Sequence, residues 1–591
     1  MKYRVSSIMK KQFMSSVIVL AMVEMANSIS GVVDGLVTGR FLGSVEMAAH
    51  GIASPYNYIV GVIGGMLMVS CQTMCARSIG SGRQEEANHT FSLTIVLAII
   101  LSGLLSVLGI LFAGPVSMLL GARGSSAELL PYVKSYLIGL FIGTPAFVLM
   151  TILAPMVQLD GDSKRANLAS AAVAVVDIVG DLFFVCVMDL GMFGMGLGTS
   201  CSAIAALLIL LSHFWKEKSM FHFQLGKEDW KRASVIIFNG LPKGVRRLCK
   251  TLSSVFINTM VLSIGATAAM TAMSVQNNLR ALLNTPAVGI GGTVLLMAGI
   301  YVGEQDKDSL KKLLATALRW TIFGIGAISA VFFVTAPWIA AFYVPQDAEV
   351  QALTANAIRF FSISVVLMGL NGMSIDYLQA QGNRNAATVF NTISELVSPV
   401  ICVFILGSLF GINGVWVAFP AAQLLTLTSF VLYALFRKKA AGSISDRLLF
   451  LPEGFGVSDE DSISITIASM EEVIGVSQKV GEFCKEHNLD DRRSYLSSLC
   501  IEEMAGNTVK HGFSADNKAH TIDLRVIVEK ESLLLRIRDD CMRFNLKEKV
   551  ESWELDPEHP EENMGIRIVL GLSKDVIYTN TMRMNNLLIW L

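Results

Sequence analysis

Between residues 13 and 436 the chain alternates long apolar runs with short polar turns. A run of about 20 apolar residues crosses a ~30 Å hydrocarbon layer as a helix. Twelve such spans are predicted, at 13–36, 52–76, 91–113, 132–157, 166–188, 195–214, 244–265, 276–302, 314–336, 355–379, 386–407 and 412–436. After Phe436 the pattern changes. Ser462 to Ile467 alternates with period two, as a half-buried strand does. Ile522 to Val528 and Leu533 to Ile537 read as strands joined by the hairpin turn Glu529-Lys530-Glu531-Ser532, with closing strands at 576–579 and 587–590. Met470 to His487 and Arg492 to His511 have helical periodicity, and Gly565 to Leu572 reads as a third helix. The expected architecture is an all-α polytopic membrane protein of twelve transmembrane helices in two six-helix halves. A C-terminal α/β sandwich follows, with helices on one face of a mixed sheet.

The two halves read as a repeat. Leu42-Gly43 through Ala48-Ala49 is similar to Ile264-Gly265 through Met270-Thr271, and Ile79-Gly80 before a charged turn is similar to Val302-Gly303 before another. Both pairs are separated by about 222 residues, and six spans per half is an even number, so the halves share one orientation about an axis along the membrane normal. Substrate is then expected in the cleft between them. The predicted division is a first half over 1–215, an inter-half loop over 216–243, a second half over 244–439, a linker over 440–460 and a cytoplasmic domain over 461–591.

Composition agrees: 53% hydrophobic and 16% charged residues, with a mean hydropathy of +0.55, exclude an ordinary soluble protein. The net charge of −1 averages over segments facing different solvents, so charge is read loop by loop. With the N-terminus cytoplasmic, Lys10, Lys11, Arg77, Arg83, Lys164, Arg165, Lys307, Lys311, Lys312, Arg384 and Arg437-Lys438-Lys439 fall inside, and chiefly Arg40 and Arg123 remain outside. Both termini are therefore expected in the cytoplasm, and the protein in the cytoplasmic (inner) membrane. Glu24 interrupts the first apolar run, which continues beyond any cleavage point and reads as a retained helix. The nine cysteines form no CxxC pair, so no disulfide framework and no zinc are expected, and Cys71 and Cys75 read as packing residues. No nucleic-acid partner is expected.

Acids inside the spans carry the candidate chemistry: Glu24, Asp34, Asp177, Asp181, Asp376 and Glu395. An ionisable group at membrane depth costs roughly 2.5–3.5 kcal/mol on insertion scales and marks a functional candidate. Asp177 and Asp181, four residues apart, share one helix face with Cβ atoms ~5–6 Å apart. Two carboxylates that close and partly desolvated should not both be bare anions, and a proton or another cation joins them; the alternative is an aqueous vestibule that solvates both as ordinary acids. Asp34 could instead be hydrated near the interface or capped by Thr38.

Val33-Asp34-Gly35 with Gly39-Arg40-Phe41-Leu42-Gly43, the turn Ile79-Gly80-Ser81-Gly82-Arg83, Gln379-Ala380-Gln381-Gly382-Asn383 and Gly411-Ile412-Asn413-Gly414-Val415-Trp416 together resemble the MATE family of multidrug and toxic-compound extrusion transporters. The resemblance covers the twelve-span region in order. It implies antiport, with H⁺ or Na⁺ entering while small organic, cationic compounds leave across the lipid bilayer. Asp34 matches the family's first-helix aspartate and Asp181 its fifth-helix aspartate; Asp177 stands where the family often has asparagine, an added carboxylate that leaves the ion's identity open. Thr199 or Ser202 is nearest to the family's sixth-helix threonine, and Asp376 and Glu395 are candidates in the second half.

In the tail, Glu503 and Asn507 lie four apart in Cys500-Ile501-Glu502-Glu503-Met504-Ala505-Gly506-Asn507, which resembles the N box of the GHKL ATPases, especially anti-sigma-factor serine kinases. Arg538-Asp539-Asp540-Cys541 is similar to their adenine-binding box, and Asn563-Met564-Gly565-Ile566 to the last one. That resemblance implies Mg-ATP, with Glu503 as general base in an active tail, Asn507 as Mg²⁺ ligand, and Asp539 and Gly565 at the nucleotide. Cys541 replaces a glycine that lets backbone approach the base, and only Gly565 remains of the phosphate-proximal glycines. Two rivals stand beside a cation-coupled exporter: a lipid-linked oligosaccharide flippase, which would want a wide basic cavity where the buried charge reads mostly acidic, and a membrane-anchored serine kinase acting on an anti-sigma-antagonist-like protein.

Overall fold

The computed structural model describes residues 7–53, 55–120, 122, 128–215, 219–224, 226–343, 348–436, 449–452, 455–458, 460–514, 519–529, 532–544, 564–582 and 584–591. The basic run Arg437–Lys439, most of the expected linker, the hairpin tip at 530–531 and Asn563 lie outside these residues. The first half comprises α1 (Ser7–Val37), α2 (Ser44–Ala53), α3 (Pro55–Gly80), α4 (Gln84–Leu111), α5 (Ala113–Leu120), α6 (Leu130–Leu159), α7 (Ser163–Leu182) and α8 (Gly191–Phe214). The second comprises α9 (Ala233–Gly303), α10 (Lys307–Arg319), α11 (Gly326–Tyr343), α12 (Ala348–Ala380), α13 (Arg384–Thr392) and α14 (Ser398–Phe436). The described residues include 10 helical stretches long and apolar enough to cross a membrane. One of them, Arg384–Phe436, is broken by Gly411, whose φ of 62° is left-handed backbone that glycine adopts without steric cost. With α1 and this division, the twelve expected spans are present.

Helix α9 was not expected as one element. Its 71 residues would extend about 106 Å if straight. Yet both ends pack on α3: Gly240 against Met66, and Gly303 against the Arg77 carbonyl. The helix therefore folds back on itself, with Pro242 and Pro286 in its two arms. It also starts at Ala233, eleven residues before the predicted span, because the charged stretch ending at Lys243 reads as loop whereas 233–243 is helical.

The turns are set by local side chains. Asp162 caps α7 by accepting from the Arg165 amide, Asp306 caps α10 through the Ser309 amide at 2.9 Å, and Asn383 caps α13. Where α3 and α9 cross, a side chain at Gly80 would meet the Ile300 carbonyl, so only glycine lets the helices touch. The largest buried cluster draws on both halves, among them Phe13, Val60, Leu137, Leu296, Phe361 and Tyr377.

The tail is a five-stranded sheet of β1 (Ser462–Ile467), β2 (Ile522–Glu529), β3 (Ser532–Asp539), β4 (Asp575–Thr581) and β5 (Met584–Trp590), in the order β1-β2-β3-β5-β4. Helices α15 (Met470–Glu486), α16 (Asp491–Asn507) and α17 (Met564–Leu572) accompany it. Every pairing is antiparallel, which corrects the expected mixed sheet: β1 lies beside β2 and β5 beside β3 without a parallel crossover. Val473, Val476 and Val480 of α15 pack with Leu524, Val526, Leu533 and Leu535, each worth roughly 1.5–3 kcal/mol of burial.

The opposite sheet face does not meet solvent. Arg525 and Arg536, paired across β2 and β3, and Arg538 are buried against Glu304 and Asp306 in the turn between α9 and α10. Arg536 reaches Glu304 at 3.0 Å and Asp306 at 2.7 Å; Arg525 also pairs with Asp306, and Arg538 with Glu304. Burial pushes the Asp306 carboxyl up, but Arg536 and Arg525 outweigh it and hold it well below the usual carboxylate range. The same domain touches the first half: Lys11 on Asp540 at 2.6 Å, Gln12 on the Met582 carbonyl at 3.3 Å, and the Met582 amide on the Leu159 carbonyl at 3.0 Å. The tail thus bridges turns of both halves on one side of the bundle.

Candidate functional site

Three carboxylates meet in the first half. Asp34 comes from α1, and Asp177 and Asp181 from one face of α7; both α7 acids are fully buried. Oδ1 of Asp34 and both carboxylate oxygens of Asp181 are buried and accept no hydrogen bond among the described residues. What faces them is another carboxylate, since Asp34 lies within interaction distance of Asp177 and Asp181. An acceptor cannot satisfy an acceptor without a proton or a cation between them. Asp177 is anchored by Ser202, whose hydroxyl donates to Oδ1 at 3.3 Å, with Thr199 beside it. The Thr199 hydroxyl itself donates to the Met195 carbonyl at 3.4 Å. Thr38 does not cap the Asp34 carboxylate: its hydroxyl donates to the Asp34 backbone carbonyl at 2.7 Å. Gly198 of α8 leaves the room Asp181 occupies, since a Cβ there would lie 2.2 Å from Oδ1.

Two features near this cluster were missed in the sequence. Buried Tyr136 of α6 lies in the field of all three acids, and His50 packs on it with ring centroids 5.2 Å apart. Turns of π-helix follow Asp34 at Thr38–Leu42 and Asp181 at Phe183–Val187; away from the cluster, others enclose Glu395 at Ile393–Val397, follow Asn507 at Thr508–Gly512 and lie at Trp320–Ile325. Such turns concentrate at functional sites because they break the regular hydrogen-bond ladder.

Asp376 and Glu395 are not part of the trio. They line a separate cavity of about 330 Å³ between the halves, together with Glu24. Glu395 forms an ion pair with Arg246 at 2.9 Å, and Asp376 packs on Gly291. Lys243, Arg246, Arg247, Lys250 and Arg280 line the same cavity, so five cations face three acids. This corrects the expectation that buried charge is mostly acidic. The signal was in the sequence: 243, 246, 247 and 250 follow the helical i, i+3, i+4, i+7 spacing.

In the tail, Glu503 and Asn507 lie on α16. The Glu503 carboxylate rests on Gly565, where a Cβ would lie 1.8 Å from Oε2. Asp539 ends β3 and is buried; its Oδ1 accepts from Asn585 at 2.7 Å and from the Cys541 amide at 3.0 Å. Burial pushes its carboxyl up against those hydrogen bonds. The Cys541 sulfur fills the space beside Gly512. Cys71 and Cys75 are buried thiols whose sulfurs lie 3.9 Å apart. Among the described residues no group of three or more His, Cys, Asp or Glu is arranged to hold a metal ion.

Comparison with known proteins gives two families. The MatE family profile matches residues 20–183 and 242–404, and that of the histidine kinase-like ATPase domain matches 467–590. The multidrug export protein MepA of Staphylococcus aureus (strain bovine RF122 / ET3-1) is 24% identical over 434 residues, spanning 71% of this chain and 94% of MepA. MepA of Staphylococcus saprophyticus is 22% identical over 424 residues, spanning 70% and 92%. The Vibrio cholerae MATE transporter VcmN in its bent form shares the fold with a TM-score of 0.68 at 18% identity, over 75% of this chain and 98% of VcmN. A MOP superfamily transporter from Pyrococcus furiosus, described as having a binding pocket of reverse polarity, gives 0.66 at 20% identity over 73% and 96%.

Proposed function

Because the chain belongs to the MatE family, we propose that it exports small organic compounds across the cytoplasmic membrane, driven by H⁺ or Na⁺ re-entering through Asp34, Asp177 and Asp181, with its tail as regulator. The observation that carries this reading is the meeting of three carboxylates from two helices, with buried oxygens that accept no hydrogen bond among the described residues. Binding a proton or sodium ion there removes like-charge repulsion between α1 and α7 and lets them approach; losing it drives them apart. Thr199 and Ser202 steady Asp177, while Asp376 and Glu395 act at the cavity as counter-charges. A potential of ~150 mV is worth about 3.5 kcal/mol per charge, which sustains a substrate ratio of a few hundredfold without ATP. The cationic cargo expected from the sequence is not carried into this reading, because the cavity holds more cations than acids.

The basic turns support a cytoplasmic tail, and its match to the histidine kinase-like ATPase domain supports nucleotide binding. Asn507, Asp539 and Gly565 are the residues that would hold Mg-ATP, with Glu503 as base; the buried Asp539 carboxylate fits an adenine amino group, and Gly565 leaves Glu503 its room. Bound Mg-ATP would supply a transferable phosphoryl group. Regulation follows from the bridge to both halves, since opening the tail side must separate turns that the tail joins. Dye efflux from proteoliposomes under separately imposed sodium and pH gradients tests the transport reading. Asp34→Asn is expected to abolish the ion-dependent component, and unchanged coupled efflux in that variant would refute it.

A further inference from the structure

The central cavity carries charge that the export reading leaves unused. Lys243, Arg246, Arg247 and Lys250 form a stripe along one face of the first arm of α9, and Arg280 joins it from the second arm. Glu395 is hydrogen-bonded to Arg246, and Lys250 and Arg280 stand farther off in its field. Arg247 reaches across to α3, where its guanidinium fills the space beside Gly61. Asp376 lies nearest Lys243 and Arg246, so five cations share three acids, and Lys250 and Arg280 have only the field of acids that other cations also use. Among the described residues neither Lys250 nor Arg280 has a carboxylate within the 4.0 Å of an ion pair; Arg280 lies over the Phe361 ring at 6.0 Å. Two cations without an ion-pair partner, side by side in a cavity between membrane-spanning helices, repel each other and attract an anion.

The rest of the lining is mostly apolar, with Val19, Leu20, Met68, Phe147, Met150 and Leu295 among its walls and Gln72, Gln158 and Asn284 interspersed. At about 330 Å³ it is of ligand size. Resting on the export reading, we infer that the cargo is an amphiphilic anion: a carboxylate or phosphate head held by Lys250 and Arg280, and an apolar body against the Met and Phe walls. The planar fork of Arg280 suits two oxygens of such a head, and the Lys250 ammonium adds a mobile point charge. Asp376 and Glu395 then serve to keep the other cations paired, so that the unpaired ones lie together.

The test uses the full chain in detergent and in proteoliposomes. Binding is measured for cholate, an anion free in water; for lysophosphatidate, an anionic amphiphile carried by the bilayer; for the uncharged methyl ester of cholate; and for the cation ethidium. At least one of the two anions is expected to bind about tenfold or more tighter than the methyl ester, the return for one charged hydrogen bond. Whichever anion binds tells whether the head group comes from water or from the bilayer. Lys250→Gln combined with Arg280→Gln is expected to remove that preference while the thermal unfolding profile persists. Failure of both cholate and lysophosphatidate to bind the unsubstituted protein tighter than the methyl ester, or preference for ethidium, overturns the inference without reliance on a variant. Counterflow separates this from the export reading: anions that bind but never move under either gradient refute export and leave the site standing. Ethidium transport without anion binding does the reverse.

Discussion

Substituting Asp306 by asparagine isolates the charge that holds the tail to the transporter. Asparagine caps a helix about as well as aspartate, so the cap that Asp306 gives α10 through the Ser309 amide survives. What is lost is the anion between Arg525 and Arg536. Three buried guanidinium groups then share Glu304 alone. Removing one partner of a buried pair typically costs about 3–5 kcal/mol, mostly because a charge is left uncompensated. Even the lower figure lowers the ratio of docked to undocked tail by about 150-fold, at 1.4 kcal/mol per tenfold. Hydrogen exchange of the β2 and β3 amides in detergent-solubilised protein reads this directly, and exchange there should accelerate. Adding Arg525→Met should recover much of the loss by removing the stranded charge as well. Unchanged exchange in Asp306→Asn would mean that these pairs contribute nothing to docking. The pH dependence has a fixed sign. A carboxyl held below its unfolded value stabilises above about pH 4 and loses that contribution as pH falls toward the folded value. Docking should therefore be flat from about pH 5 to 8 and weaken only in stronger acid.

Gly565→Ala places a methyl group 1.8 Å from Glu503 Oε2, and should cost the tail roughly 1–3 kcal/mol, seen as a lower unfolding temperature of that domain. Glu395→Gln strands Arg246 among Lys243, Lys250 and Arg280; a loss of about 3–5 kcal/mol is expected, with a lower melting temperature in detergent, and a stability equal to the parent would contradict it. Gly80→Ala drives a Cβ to 2.1 Å from the Ile300 carbonyl where α3 and α9 cross, and should lower thermal stability more than Gly103→Ala, whose Cβ would meet nothing within 4 Å.

The spans and strands were legible because each has a short period that its own residues reveal. Asp177 and Asp181 could be paired from their spacing; that Asp34 joins them could not, since α1 and α7 are brought together only by packing. The cationic face of α9 follows a local rule and was overlooked for another reason: Lys243 was assigned to the inter-half loop, which cut it off from Arg246, Arg247 and Lys250 inside the predicted span. Arg525, Arg536 and Arg538 look like the wet side of an ordinary sheet, and nothing near them in the chain names Glu304 and Asp306 as partners.

Helix α1 is gripped at both ends by different chemistry. Lys11 and Gln12 touch the tail, while Asp34, twenty-three residues on, stands among the buried acids about 35 Å away. A helical rod is stiff along its axis, so what tilts or slides it at one end is delivered to the other. Linkage then works in both directions: if ion capture at the far end alters the hold on Met582 and Asp540, release of that hold must alter ion affinity by the same factor.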